Sequence, residues 1–285
     1  MAIPLTYGLF FLGIAFHIAG AGAALRYLGG KENFGWLRAA ERMTSLSAGL
    51  LLLALLLRFA TWGIAPLSTG ADVLCIFILM VLVISSVVAL REERRALLLF
   101  YLPPLAGIGL ICAFLALKDF REPPLDTIFS QLFLVVHVLL AFLAYALFFV
   151  ASLTSVAYAF QARHLKKRAT TGLFQKLPSL ENLDRTLFRL ITAGYPLFVL
   201  TLVLGLVYAW RDPSPLSPTW WWSPKILLSI AMVLFYAVSF HGRALGLLRG
   251  PKLAHFVFIG FTLLLTVYLV LVILRVMNYN FYGTA

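Results

Sequence analysis

Residues 129–161 read FSQLFLVVHVLLAFLAYALFFVASLTSVAYAFQ, a run with no Asp, Glu, Lys or Arg and a single histidine. A helix rises about 1.5 Å per residue and a bilayer core is about 30 Å thick, so about 20 such residues already span it. The run lacks the period-two alternation of a barrel strand. In hydrocarbon every backbone amide needs a partner, and a helix supplies it within the segment. The same reading extends outward from this run. Apolar stretches at about 4–26, 43–62, 71–90, 96–117, 187–210, 224–243 and 252–276 join it as expected spans. The expected fold class is therefore all-α, a polytopic membrane helical bundle of about eight transmembrane helices, with residues 1–285 forming a single integral membrane domain.

Composition excludes the other classes. The 285 residues are 62% hydrophobic and 12% charged, with a mean hydropathy of +0.97, against about 25% charged in an average soluble domain. The 2 Cys cannot build a disulfide scaffold. The first run opens without a basic segment and precedes no small-residue cleavage site, so it reads as a helix rather than a removable signal. No internal repeat or inverted half suggests a transporter.

Basic residues orient the bundle. Following spans one, three, five and seven come Arg26, Lys31, Arg38 and Arg42; Arg91, Arg94 and Arg95; seven between Arg163 and Arg189; and Arg243, Arg249 and Lys252, 17 of the 23 in all. By the positive-inside rule both termini are expected on the non-cytoplasmic side. The net charge of +12 then reflects topology and attraction to anionic lipid heads, and no nucleic-acid partner is expected. In the longest polar stretch, about 162–186, Ser179 can cap a helix in which Leu180, Leu183, Leu187 and Leu190 recur at helical spacing. It reads as a short interfacial helix leading into the sixth span, and a solvated basic linker with lipid-facing leucines is favoured over a docking site.

Several chemistries are absent from the sequence. There is no phosphate-binding glycine loop with its Lys, no HExxH, no GxSxG, no CxxC and no CxxCH. Cys75 and Cys112 are expected simply to pack in spans three and four. Asp and Glu fall almost wholly in loops, which disfavours a proton-driven carrier. His164 and His255 border basic loops and read as solvated. His17, His137 and His241 lie inside apolar runs, where a neutral imidazole is costly and is a good axial ligand for haem iron. By helical rise, His17 lies about 20 Å and His241 about 25 Å below the outer starts of their helices, and His137 about 12 Å. These depths give an inner pair and an outer single. An interhelical hydrogen bond is the ordinary alternative for each.

The loop RDPSPLSPTWWWSPK, after Trp210, is the other unusual stretch. With Trp62, it places five of the six tryptophans on the outer side. An interfacial belt accounts for one or two. Trp220, Trp221 and Trp222, held between Pro218 and Pro224, form a flat apolar platform suited to a planar macrocycle, with Arg211 and Lys225 able to meet propionates.

The succession LFLVVHVLLAFLAYALFFVASLTSVAYAFQARHLKKR, LFQKLPSLENLDRTLFRLITAGYPLFVLTLVLGLVYAW and WWWSPKILLSIAMVLFYAVSFHGRAL resembles the cytochrome c assembly family, which includes CcsA (ResC), CcmC and HemX-like proteins. The likeness covers about residues 70–276 and is strongest over 130–245. In that family a tryptophan-rich outer loop, the WWD domain, holds haem, flanking histidines ligate the iron, and CcsA-type members export haem for attachment to apocytochrome c. The resemblance implies haem b, as ligand or cargo, at Trp220, Trp221, Trp222 and Lys225, with His137 and His241 as axial ligands, in a bacterial plasma membrane. His17 matches no family position and joins the haem-binding set through its depth alone.

Two departures stand out. Ser223 replaces the acid of the usual W-D-P-K, and the tail RVMNYNFYGTA lacks the second outer histidine. Met277, Tyr279 or Tyr282 could serve instead, or the site is five-coordinate or absent. These departures favour the HemX-like side of the family. The chain is expected to be at most part of a multi-protein haem lyase, working with a CcsB (ResB)-like protein. The alternatives are a HemX-like regulator of tetrapyrrole synthesis and a haem-free structural subunit.

Overall fold

The computed structural model describes residues 2–29, 35–62, 69–118, 132–166, 177–211, 222 and 224–276. Among these residues every long element is an α-helix and no strand occurs. In chain order they are α1 (Ala2–Gly29), α2 (Gly35–Trp62), α3 (Gly70–Ala89), a 3₁₀ turn (Glu92–Leu97), α4 (Leu98–Lys118), α5 (Leu132–Lys166), α6 (Leu180–Arg211), α7 (Pro224–Ala244) and α8 (Pro251–Val276). Seven are long and apolar enough to cross a membrane, and α8 contributes a shorter apolar stretch, Pro251–Thr266. The polytopic all-α bundle expected from the hydropathy is thus the fold. Boundaries moved most at α2 and α6, whose polar first turns carry Arg38 and Arg42, and Arg185 and Arg189. Charge lowers hydropathy without stopping a helix, so a hydropathy reading starts these spans late.

The residues fall into two compact units. The first comprises Met1–Val136 with Phe160–Leu183. Here α1 packs on α2 and α4, and α3 packs on α2 and α4, closing a four-helix arrangement. Lipid tails are as apolar as leucine, so close packing of small residues must hold such helices together. Accordingly a Cβ on Gly13 would lie 2.8 Å from Leu51 Cδ2, and Ser47 Oγ donates to the Gly13 carbonyl at 2.8 Å. At one end of this unit Asp72 and Thr69 form a capping box on α3. The same carboxylate takes Arg58 Nε at 2.7 Å and its Nη2 at 3.0 Å. Both partners are buried, so Asp72 is a buried, paired acid in the first turn of α3, an exception to the general confinement of the acids to loops.

The second unit comprises His137–Ala159 with Asp184–Ala285. Its core centres on Phe148 of α5, which stacks on Tyr236 of α7 at 3.7 Å and 6° and meets Phe198 of α6 edge-on at 5.7 Å. Glycines admit the aromatic rings of this unit: a Cβ on Gly194 would meet Phe148 Cε1 at 2.8 Å, and one on Gly260 would run into the Phe235 ring.

The expected cap at Ser179 is present, its Oγ accepting from the Asn182 amide at 3.3 Å. The short helix expected to lead into the sixth span is present as the start of that span itself. The helix runs unbroken from Leu180 to Arg211, and Leu183, Leu187 and Leu190 are buried rather than facing lipid. Asp184, in its second turn, binds Arg243 Nη2 and accepts from the Gly250 amide at 2.9 Å, tying down the α7–α8 turn. Gly246 and Gly250 in that turn have φ of 77° and 58°, where any side chain would strain the backbone.

Candidate functional site

Within the second unit, α5, α6 and α7 enclose a half-open cleft of about 210 Å³, lined by His137, Tyr145, Thr201, Gly205, Ile226 and Ser229 among others. His137 sits five residues, about 8 Å, into the described part of α5. Its Cε1 atom approaches α6 closely because Gly205 has no side chain, and a Cβ there would come within 2.6 Å of it. The Nδ1 atom is buried without a hydrogen-bond partner. A buried polar atom left bare costs about 1–3 kcal/mol, so an unsatisfied ring nitrogen stands beside a cavity. Sequence reasoning found His137 and missed Tyr145, Thr201, Gly205 and Ser229. Their convergence depends on helix packing, and Gly205 inside an apolar helix was the one available hint.

His241 lies at the opposite end of α7, twelve residues from Ser229 and so about 18 Å along the axis. It is exposed, and Nδ1 donates to the Ala237 carbonyl at 2.9 Å, leaving Nε2 as the lone-pair nitrogen. The same local contact occurs at His164 and His255. It is a habit of helical histidines; His241 and His255 are exposed and His164 is half-buried, and what sets His241 apart is the aromatic pair Tyr195 and Phe240 beside it.

His17 belongs to the first unit. Its ring is fully buried, 3.4 Å from the position of a Cβ on Gly109. The Leu105 carbonyl is close enough to act on the ring, but neither ring nitrogen has a partner in hydrogen-bond geometry. Trp222 is 74% exposed, as is Trp210. Trp220, Trp221, the Lys225 side chain, Met277, Tyr279 and Tyr282 lie outside the described residues. Cys75 and Cys112 are buried free thiols, the latter donating to the Ala71 carbonyl at 3.3 Å. A second hollow, beside Arg58, Asp72 and Cys75, measures only about 30 Å³, room for a water rather than an organic ligand. Among the described residues no cluster of three or more His, Cys, Asp or Glu could hold a bare metal ion. The iron of a macrocycle needs only one or two axial groups.

The family model described as "Cytochrome C assembly protein" matches residues 36–277. The chain belongs to the cytochrome c assembly protein family. This assembly-family chain is 31% identical over 121 residues to Protein HemX of Bacillus subtilis, covering 42% of the chain and 43% of that protein. It is 27% identical to Protein HemX of Brevibacillus brevis, covering 54% and 56%. With the cytochrome c biogenesis protein CcsA of Chlamydomonas reinhardtii it shares 26% over 233 residues, covering 80% and 64%. The matched stretches span about half the length of the HemX relatives. No solved structure matches the chain. Membership makes this a multi-pass membrane protein of the cytochrome c biogenesis or HemX-like kind.

Proposed function

We propose that this protein handles haem at two levels of its second unit, with His241 toward the cytoplasm and His137 toward the outer face, and presents it for attachment to apocytochrome c. The orientation follows from the basic residues and places both termini outside. The single observation that carries the reading is the bare, buried Nδ1 of His137 facing a cleft in a chain of this family. A neutral imidazole is a standard axial ligand. The cleft, at about 210 Å³, is smaller than the roughly 300–1,000 Å³ of pockets that enclose a ligand. It therefore suits one edge of a macrocycle, and Trp220, Trp221, Trp222 and Lys225 are proposed from the sequence alone as its further contacts. Haem b here is cargo or ligand. The chain's own residues bind and orient it, exclude water and leave thioether formation to a complex with a CcsB (ResB)-like partner. His17, which belongs to the first unit and is fully buried there with both nitrogens bare, is proposed separately as a haem-contacting residue from its depth along α1 alone.

The test is a visible spectrum of the protein purified from haem-replete membranes. A Soret band is expected, with His137→Ala and His241→Ala each altering the reduced spectrum. No band in the wild type would leave a haem-free structural subunit, and unchanged spectra in both variants would remove the ligand assignment. A regulatory, HemX-like role is favoured by the match to the two HemX proteins. It requires that deletion of the gene alter an early tetrapyrrole-pathway enzyme while c-type cytochromes stay normal.

A further inference from the structure

Three rings meet where α6 and α7 adjoin at the inner end of the second unit. Tyr195 stacks on Phe240 at 5.2 Å and 29°. His241 stands nearly perpendicular to both, at 82° to Tyr195 over 6.1 Å and 81° to Phe240 over 5.1 Å. Unlike the Phe148 core these rings are not buried: Tyr195 and Phe240 are half-buried and His241 is exposed. The group is also firmly held. Gly194, next to Tyr195, seats α6 against Phe148, and Arg243, two residues beyond His241, is bound to Asp184.

The angles carry the argument. A macrocycle coordinated through Nε2 stands perpendicular to the imidazole, as Tyr195 and Phe240 already do. Planes that share this relation can lie parallel to one another, and offset parallel stacking is a favoured aromatic geometry. With Nδ1 committed to Ala237, Nε2 is the nitrogen left to coordinate. We propose that Tyr195 and Phe240 form a stacking wall that receives a tetrapyrrole face at His241 and sets its orientation, so that they are positioning residues for the inner haem. This rests on the haem-handling reading above and adds two residues and a ring-face mode of recognition to it.

The test uses full-length protein in detergent, carrying His137→Ala so that the inner level is read alone, titrated with haemin. In this background Tyr195→Leu and Phe240→Leu should each weaken haemin binding about tenfold or less, in line with the loss of a ring pair, and broaden the histidine-ligated band. Tyr195→Phe should bind within twofold of its parent, and Tyr195→Trp at least as tightly. Unweakened binding by the leucine variants overturns the wall. So does equal loss in Tyr195→Phe, which would assign the effect to the hydroxyl, or weaker binding by Tyr195→Trp, which keeps the test open should the leucine variants not fold. If adding His241→Ala abolishes the signal while the leucine variants change nothing, the wall fails and the inner ligand stands. If the His137→Ala parent binds no haemin, both fail.

Discussion

Gly205→Ala tests the packing of the His137 cleft directly. The new methyl would stand 2.6 Å from Cε1, 3.3 Å from Nδ1 and 3.4 Å from Nε2 of His137. Carbon atoms in contact settle at about 3.5–4.0 Å, so the imidazole must retreat by about 1 Å. The obstacle is a ring on rotatable bonds, and relief comes from turning it off its rotamer, at about 0.5–1.5 kcal/mol. Overpacking costs about 1–3 kcal/mol, against about 0.5–1 kcal/mol returned by replacing glycine in a helix. The net expectation is a loss of about 0–2.5 kcal/mol together with a displaced His137. Thermal unfolding in detergent reads the first, and the reduced haem spectrum reads the second. Gly194→Ala and Gly260→Ala overpack Phe148 and Phe235 instead, and should lower stability with less change in the spectrum. At Gly22 and Gly107 a methyl meets nothing within 4 Å, and alanine there should be neutral or stabilising. If Gly205→Ala leaves both stability and spectrum as in the wild type, His137 does not lie on Gly205 and the cleft as described is wrong.

Three further outcomes are expected. Asp72→Ala should cost about 3–5 kcal/mol by taking the carboxylate away from buried Arg58, and the double replacement by leucine should cost clearly less; unfolding of the two variants separates these, and a double variant as damaged as the single would refute the account. Asp184→Ala removes the partners of Arg243 and of the Gly250 amide, with an expected loss of about 1.5–3 kcal/mol and faster proteolysis within 245–250; an unchanged digestion pattern would mean the turn is held by other contacts. A reporter fused after Ala285 should be active outside the cytoplasm, and cytoplasmic activity would invert the proposed levels of His137 and His241.

The sequence by itself determined where the helices are. Long charge-free runs must be helical in lipid, because only a helix pairs its backbone within one segment, and Ser179 announces its cap by chemistry that is local. The same local logic picked out His137 and His241 as polar side chains in apolar runs. Only the tertiary structure decided which face of each helix meets protein. In a soluble fold the buried face is the apolar one, but here lipid and protein interior are equally apolar, so Leu183 and Leu187 gave no sign of being buried. For the same reason nothing in the chain distinguished fully buried His17 from exposed His241, paired Arg58 with Asp72 across fourteen residues, or set Gly205 beneath the ring of His137. Those relations arise from how small residues let helices approach, a property of pairs of helices that no single run contains.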